Sequence, residues 1–197
     1  GRVTLTWLDG EAGGEVLAHL EDVTDARAAA EDLEHRASSD PLTGLANRDR
    51  FDAVLRARLV EGGPPVAVLF CDVDRFKLVN DTLGHAAGDA LLRRIAQDVS
   101  AVLRGRDLAA RLGGDEFVVL LDDVEDAVQA LAVAERVRTA VSAAAREQGR
   151  TAGATMTIGV AVSNPASSGR SLLARADHAL YVGKQDGRDR VALAGDE

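Results

Sequence analysis

Apolar and polar positions follow two different periods along the chain, and the period changes at stretches rich in glycine or proline. The six apolar residues 66–71 predict a buried strand, which continues into Asp72-Val73-Asp74. Apolar residues spaced three and four apart predict amphipathic helices elsewhere. The predicted helices cover residues 48–59, 91–103, 125–146 and 171–184, and the further strands are a hairpin turning at 113–114, then 155–162 and 191–193.

The order of these elements is strand, helix, hairpin, helix and strand. Ferredoxin-like domains have this order, with α-helices packed on an antiparallel sheet. The sequence therefore predicts an α+β fold with a central, mostly antiparallel sheet. We expect the helices to lie over one face of that sheet.

The first forty residues have a separate pattern. Partly alternating residues at 3–8 and 16–20, with glycines between them, predict a short hairpin. The helix predicted next has apolar residues every three or four positions over about two heptads, and it either pairs with a second copy or is a solvated linker. These residues are Val23, Ala26, Ala30, Leu33 and Ala37. Asp40-Pro41 ends the helix.

Composition narrows the class of protein. Hydrophobic residues make up 46% and charged residues 28% of the chain, as in ordinary soluble domains. The longest apolar run is far shorter than a membrane span, so we expect no membrane segment in this stretch. The single cysteine, Cys71, excludes an internal disulfide and favours a reducing, cytoplasmic location.

The net charge of −9 is unevenly distributed. Residues 1–40 contain ten acids and three bases, whereas the rest of the chain contains 22 acids and 20 bases. The body of the protein is therefore nearly neutral. It also has only four Phe, one Trp and one Tyr on which bases could stack. Both observations argue against binding to nucleic-acid polymers.

Two pairs of acids carry the candidate chemistry. Asp72 and Asp74 stand where the apolar strand leaves the core, and Asp115 and Glu116 directly follow the turn glycines of the hairpin. If the strand lies beside the hairpin, Asp72 converges with the hairpin acids, and bound Mg²⁺ is the expected counter-charge. Two such ions would suit an in-line phosphoryl transfer. The alternative is that Asp72 and Asp74 only end a strand and begin a turn.

Five segments, in order along the chain, resemble one known family. RLGGDEF (111–117) resembles the signature of the GGDEF domain, the diguanylate cyclase family. The other four are DPLTGLANR (40–48), DVDRFKLVNDTLGHAAGD (72–89), TIGVA (157–161) and ADHALYVGKQDGRDRV (176–191). The resemblance implies a nucleotide-cyclase-type, palm-like fold. It also implies that two GTP molecules condense to cyclic di-GMP and two pyrophosphates, in a two-metal reaction that needs a dimer.

The resemblance implies the metal ligands and the catalytic acids. Asp72, the carbonyl of Val73 and the carboxylates of Asp115 and Glu116 would hold two Mg²⁺ ions per active site, with Mn²⁺ as a substitute. Asp115 would also take the proton of the ribose 3′-hydroxyl, and Glu116 is the second catalytic acid.

The resemblance also implies how the base of GTP is bound. Asn80 and Asp89 would read guanine, because an amide and a carboxylate together complement its O6 acceptor and its N1–H and N2–H donors. His85 lies between them in the sequence and would line the same pocket. Taken singly, Asn80 is an ordinary polar residue at a helix end, and Asp89 an acid in the first turn of a helix.

The triphosphate would be bound by residues from two parts of the chain. Lys184 and Arg188 match the phosphate-binding pair of the family. Phe76 and Lys77 lie at a predicted helix start, whose N–H groups would add to the site. Taken singly, Lys184 and Arg188 are an ordinary charged helix face.

A second nucleotide site is implied upstream of the glycine pair. Arg104 and Asp107 occupy the positions of the RxxD motif through which the family binds cyclic di-GMP as an inhibitor, with arginine contacts to guanine and phosphate. Arg136 would complete this product site across a dimer. The alternative is that these residues only make the surface soluble.

The leader carries a shorter resemblance. EVLAHLEDVTDARAAAEDLEHR (15–36) resembles the last strand of a PAS sensory domain with its signalling helix. The resulting division is a PAS-like remnant at 1–22, a signalling or coiled-coil helix at 23–39 that would form a homodimer, and a GGDEF catalytic domain at 40–197.

Small departures from the family pattern occur near its closing elements. Thr157 stands where the family usually has Ser, Gly183 where it has Ala, and Asp189 where it has Asn. They affect the expected packing near Lys184. Two rival functions remain: a catalytically silent receptor for cyclic di-GMP or GTP, and a structural dimerisation domain. The intact acids argue against both.

Overall fold

The computed structural model describes residues 2–10, 13–22, 37–60, 63–147 and 154–195. They divide into two units, residues 1–38 and 39–197. In the first unit, β1 (Arg2–Gly10) pairs with β2 (Gly13–Glu21) in an antiparallel hairpin. The predicted N-terminal hairpin is therefore confirmed, but its PAS origin stays a prediction. Residues 23–36, nearly all of the predicted leader helix, lie outside the described residues.

The second unit contains ten described elements. They are α1 (Arg48–Arg58), β3 (Ala67–Val73), α2 (Phe76–Leu83), α3 (His85–Val102), β4 (Leu108–Gly113), β5 (Glu116–Leu121), α4 (Ala127–Glu147), β6 (Met156–Val162), α5 (Gly169–Gln185) and β7 (Val191–Leu193). Each predicted element is present. The helix predicted at 91–103 begins six residues earlier, because Gly84, with a φ of 82°, separates it from the short helix α2.

The five strands of this unit form one mixed sheet in the order β4-β5-β3-β6-β7. All neighbouring strands are antiparallel except β6 and β7, which are parallel. The buried strand β3 is thus central, with the hairpin of β4 and β5 on one side and β6 on the other. The predicted α+β class and the mostly antiparallel, ferredoxin-like sheet are confirmed.

Helices cover both faces of the sheet, so the expectation of a single covered face is wrong. One apolar cluster joins alternate residues of β3 to α3 and α4, and a second joins the intervening residues of β3 to α1 and α5. Gly159 of β6 permits the contact with α5, since a Cβ there would collide with the helix backbone. The unbroken apolar run of β3 reflects burial on both faces.

None of the helices in the described ranges is both long and apolar enough to cross a membrane.

Candidate active site

β3 and the β4–β5 hairpin bring the predicted acids together at one end of the sheet. In the β3–β5 ladder Asp72 lies opposite Glu116, and the Val73 N–H donates to the Asp115 carbonyl at 3.3 Å. Between the strands Gly114 has a φ of 54°, in the left-handed region that favours glycine. The strand therefore lies beside the hairpin, as the prediction required.

Lys184 adds a positive charge beside these acids. Its Nζ lies 2.7 Å from Asp72 Oδ2, and the exposed fractions of the two side chains are 31% and 14%. Burial raises the pKa of Asp72 above its ordinary value, and the negative charges of Asp115 and Asp74 add to this, while Lys184 acts in the opposite direction. The end of β3 is thus a crowded acidic site that gains from a cation.

The donor set suits the predicted magnesium ions. Carboxylates of Asp72, Asp115 and Glu116 and the carbonyl of Val73 are hard oxygen ligands. Within the described ranges, no three acidic, histidine or cysteine side chains are grouped closely enough to hold a metal as they stand. The Lys184 ammonium group instead neutralises Asp72. The chemistry of the donors fits the ion, and the lysine marks where positive charge is favourable.

Arg111 holds the hairpin in place, and the sequence did not single it out. Its Nε and Nη2 donate to the Gly114 carbonyl at 3.0 and 2.7 Å, and its Nη1 lies 2.9 Å from Asp40 Oδ2. Asp40 also accepts from the N–H and hydroxyl of Thr43. Burial alone would raise the pKa of Asp40, but the hydrogen bonds from Thr43 and Arg111 lower it below its ordinary value. The segments 40–48 and 111–117, which are far apart in the sequence, therefore contact each other through this ion pair.

The N-terminus of α2 faces the same end of β3. Arg75, which precedes the helix, has a left-handed φ of 58°. The first helical hydrogen bonds run from Leu78 and Val79 to the Arg75 carbonyl, at 2.9 and 3.4 Å. The N–H groups of Phe76 and Lys77 come before those bonds and have no acceptor within the helix. Such free N–H groups, together with the positive end of the helix dipole, attract an anion.

Asn80 of α2 faces the first turns of α3. Its Oδ1 is buried and has no hydrogen-bond partner among the described residues. A Cβ at Gly88 would collide with this oxygen and lie 3.2 Å from Phe76, so glycine permits the close approach. Half-buried Asp89 follows directly, and exposed His85 begins the helix. An orphaned acceptor beside a carboxylate suits the N–H donors of guanine.

Asp74 is a buried acid with structural partners. It accepts hydrogen bonds from the hydroxyls of Thr155 and Thr157, both at 2.7 Å, and from the Asp189 N–H at 3.1 Å. These bonds connect the end of β3 to β6 and to the segment that follows α5. Of the two alternatives for Asp74, the structure supports the one in which it forms a turn. Thr157 and Asp189, two of the departures from the family pattern, are its partners.

Arg188 lies beyond the end of α5 and is exposed. It lines a cavity of about 670 Å³ together with Asp74, with Arg75 at the start of α2, and with Leu78 and Thr155. Lys184 and Arg188, the predicted phosphate-binding pair, thus have different surroundings. Lys184 contacts Asp72, whereas Arg188 faces the cavity beside α2.

Two of the predicted inhibitory residues contact each other just before β4, and the third hydrogen-bonds the end of α3. The backbone N–H of Arg104 donates to Asp107 Oδ2 at 2.9 Å, and Arg136 of α4 donates through Nη2 to the Val102 carbonyl at 2.8 Å. The Arg104 side chain is exposed. Asp107 precedes β4, whose length separates it from the acidic hairpin by about 17 Å. Arg104 and Asp107 are therefore separate from the acids of the hairpin.

Comparison with known proteins places these features in a family. The family described as "Diguanylate cyclase, GGDEF domain" matches residues 37–190. The probable diguanylate cyclase DgcE of Escherichia coli is 39% identical in an alignment 199 residues long, which covers 96% of this chain and 17% of that protein. Diguanylate cyclase TpbB of Pseudomonas aeruginosa is 39% identical in an alignment 193 residues long, which covers 93% of this chain and 44% of that protein. The chain thus spans less than half the length of both relatives.

A solved structure is similar over nearly the whole fold. The coiled coil and GGDEF domain of DgcB from Caulobacter crescentus, in complex with c-di-GMP, superimposes with a TM-score of 0.80 at 35% sequence identity. The match covers 88% of this chain and 94% of that one. The mixed sheet with helices on both faces is therefore shared with this structure.

Proposed function

The chain belongs to the GGDEF family of diguanylate cyclase domains, and from that premise we propose that it condenses two GTP molecules into cyclic di-GMP and two pyrophosphates. The observation that carries the proposal is the pairing of Asp72 with Glu116 across β3 and β5, with Lys184 at 2.7 Å from Asp72. In the proposed reaction these residues would supply oxygen ligands, a general base and a phosphate-binding cation at one end of the sheet.

Each cyclisation step forms one bond and breaks one. The 3′-oxygen of one GTP attacks the α-phosphorus of the other, the bond from that phosphorus to the pyrophosphate oxygen breaks, and Asp115 accepts the hydroxyl proton. The same exchange in the opposite direction closes the ring. Two Mg²⁺ ions held by Asp72, Val73, Asp115 and Glu116, with Mn²⁺ as a substitute, would lower the hydroxyl pKa and neutralise developing charge.

The other residues bind and orient GTP. Asn80 and Asp89 would hydrogen-bond the guanine edge, with His85 lining the pocket, because Asn80 Oδ1 is a buried acceptor without a described partner. The triphosphate would contact Lys184 and Arg188.

The triphosphate would also contact the helix start of α2. The N–H groups of Phe76 and Lys77 precede the first helical bond there, and the positive end of the helix dipole favours an anion. The Lys77 side chain is exposed and would add a positive charge at this end.

Catalysis in this scheme needs two domains face to face, because each domain binds one GTP. We place the pairing in the predicted leader helix at 23–39, which would form a homodimer and follow a PAS-like segment at 1–22. Sensory input from upstream would then act by changing the relative orientation of the two catalytic domains at 40–197.

We further propose that cyclic di-GMP inhibits the enzyme through Arg104, Asp107 and Arg136. The exposed Arg104 and the proximity of Arg136 to Val102 support one binding surface. Arginine contacts both guanine and phosphate well. Inhibition by added cyclic di-GMP that is equally strong in an Arg104→Ala variant would contradict this site.

The main experiment is to incubate the protein with GTP and Mg²⁺ and to separate the nucleotides by chromatography. We expect cyclic di-GMP and pyrophosphate from the parent, and none from an Asp115→Ala, Glu116→Ala double variant. A parent that forms no product at high concentration but binds cyclic di-GMP, with binding lost on Arg104→Ala, would instead indicate the silent receptor.

A further inference from the structure

The segment that carries Arg188 has an unfavourable backbone conformation. Gly187, Arg188 and Asp189 have φ angles of 116°, 63° and 44°. Left-handed φ values cost free energy for residues other than glycine, and two such residues in a row persist only where surrounding contacts hold them. The contacts that hold this segment therefore determine where Arg188 lies.

The Arg188 N–H donates to the Gly183 carbonyl at 3.2 Å, and Asp189 receives further contacts from two directions. Its backbone N–H donates to Asp74 Oδ2 at 3.1 Å, which fixes the segment to the end of β3. Its carboxylate Oδ1 lies 2.6 Å from Arg138 Nη1 of α4 and 3.4 Å from Ser142 Oγ. Arg138 is itself oriented by Glu135, whose Oε2 accepts from Nε at 2.8 Å. The exposed fraction of the Arg138 side chain is 23%.

Arg188 is adjacent to Asp189 and therefore connects the Arg138–Asp189 ion pair to the proposed nucleotide site. Arg188 and Asp189 line the same cavity as Arg75, directly before the helix start assigned to the phosphates. Arg188 would meet the triphosphate there only if the segment keeps its left-handed conformation.

We propose that Arg138, through its ion pair with Asp189, is a positioning residue that holds Arg188 against the triphosphate of GTP. The inference rests on the proposed function for the identity of the ligand. Arg138 does not itself touch the nucleotide in this scheme. Its loss should weaken GTP binding through Arg188 alone and leave the acids at the end of β3 as they are.

The test compares Arg138→Met, Asp189→Asn and their combination, each in the parent and in an Arg188→Ala background. Methionine keeps the apolar stem of the arginine, and asparagine tolerates the left-handed conformation. Arg170→Met is the matched control, since it is exposed and lies at the opposite end of α5 from Lys184, about 21 Å along the helix. Thermal unfolding identifies any variant that fails to fold.

Two readouts are needed. The first is KM and kcat for cyclic di-GMP formation at fixed protein concentration. The second is the Kd of a GTP analogue with a methylene bridge between its α- and β-phosphorus atoms, which cannot release pyrophosphate. We expect Arg138→Met to raise both KM and Kd about five- to tenfold with little change in kcat, Asp189→Asn to act more weakly, and the double variant to match Arg138→Met.

The Arg188→Ala background decides the mechanism. If Arg138 acts by positioning Arg188, then Arg138→Met has no further effect once Arg188 is gone. An equal loss in both backgrounds, or unchanged Kd in the parent background, overturns the inference while leaving the cyclase intact. A parent that binds the analogue but makes no cyclic di-GMP overturns the proposed function, and the inference is then judged on Kd. A parent that neither binds the analogue nor makes cyclic di-GMP overturns both.

Discussion

Opposing influences act on the pKa of the Asp72 carboxyl group. Burial and two neighbouring acids raise its pKa, and Lys184 at 2.7 Å opposes them. A carboxyl whose pKa is raised on folding stabilises the fold most at low pH, and this contribution is lost as the pH rises. At neutral pH the charge of Asp72 is therefore a cost to folding. The proposed function accounts for this cost, because an anionic ligand at this position would hold Mg²⁺.

Replacement of Asp72 by Asn should separate stability from activity. We expect Asp72→Asn to form no cyclic di-GMP, while its free energy of unfolding stays within about 1 kcal/mol of the parent or rises, because an unfavourable charge and one partly buried ion pair are removed together. Urea unfolding and the chromatographic assay measure the two quantities. A large loss of stability would show that the Asp72–Lys184 pair is mainly structural.

Replacement of Gly88 should likewise separate stability from activity, here at the proposed guanine site. Gly88→Ala should favour α3 by up to about 1 kcal/mol, since alanine is the better helix former. The added methyl group would also collide with Asn80 Oδ1 and turn the amide away from the nucleotide. We expect the KM for GTP to rise about tenfold, as for the loss of one buried hydrogen bond, with an unchanged or higher Tm. An unchanged KM would remove Asn80 from the guanine site.

At the scale of elements, the ion pair of Asp40 and Arg111 fixes the hairpin. It joins the turn before α1 to the Gly114 carbonyl, and both side chains are largely buried. Because the folded pKa of Asp40 is lowered, the stability that it contributes is present above its unfolded pKa of about 3.9 and is lost as the pH falls through the folded value.

Asp40→Asn should therefore have a pH-dependent effect. We expect it to lower the free energy of unfolding by about 1–3 kcal/mol at pH 7, and the difference from the parent to shrink as the pH falls below 4. Asp98→Asn is the control, because the Arg94–Asp98 pair within α3 is of the helix-surface kind that contributes about 0.5 kcal/mol or less. A difference that stays constant with pH would contradict the role of the Asp40 charge.

The helices and strands could be predicted from the sequence, whereas hydrogen bonds between residues far apart in the sequence could not. The apolar run before Asp72 and the glycines before Asp115 predict a strand and a hairpin, because those signals are local. The partner of Arg111 lies 71 residues away, and that of the Asp189 N–H lies 115 residues away. No local period encodes such pairs. The second covered face was signalled by the unbroken apolar run of β3, which alternation would not produce.

At the scale of the whole molecule, catalysis and folding place different demands on the chain. Residues 39–197 form one unit that contains both apolar clusters of the sheet. This unit has what it needs to fold alone, since helices cover both faces of its sheet. The proposed reaction nevertheless requires two such units to meet, and the predicted leader helix would raise their effective concentration.

Removal of the leader tests whether residues 39–197 fold alone and whether the leader pairs the catalytic domains. We expect a 39–197 fragment to unfold cooperatively with a Tm close to that of the full chain, but its rate per domain should rise more steeply with protein concentration, because pairing is then bimolecular. Leu33→Asp in the full chain, which puts a charge into the predicted seam, should reproduce the fragment's concentration dependence. If the fragment, the variant and the parent give the same curve, the leader does not pair the domains, and the contact that brings two GTP molecules together must lie within residues 39–197.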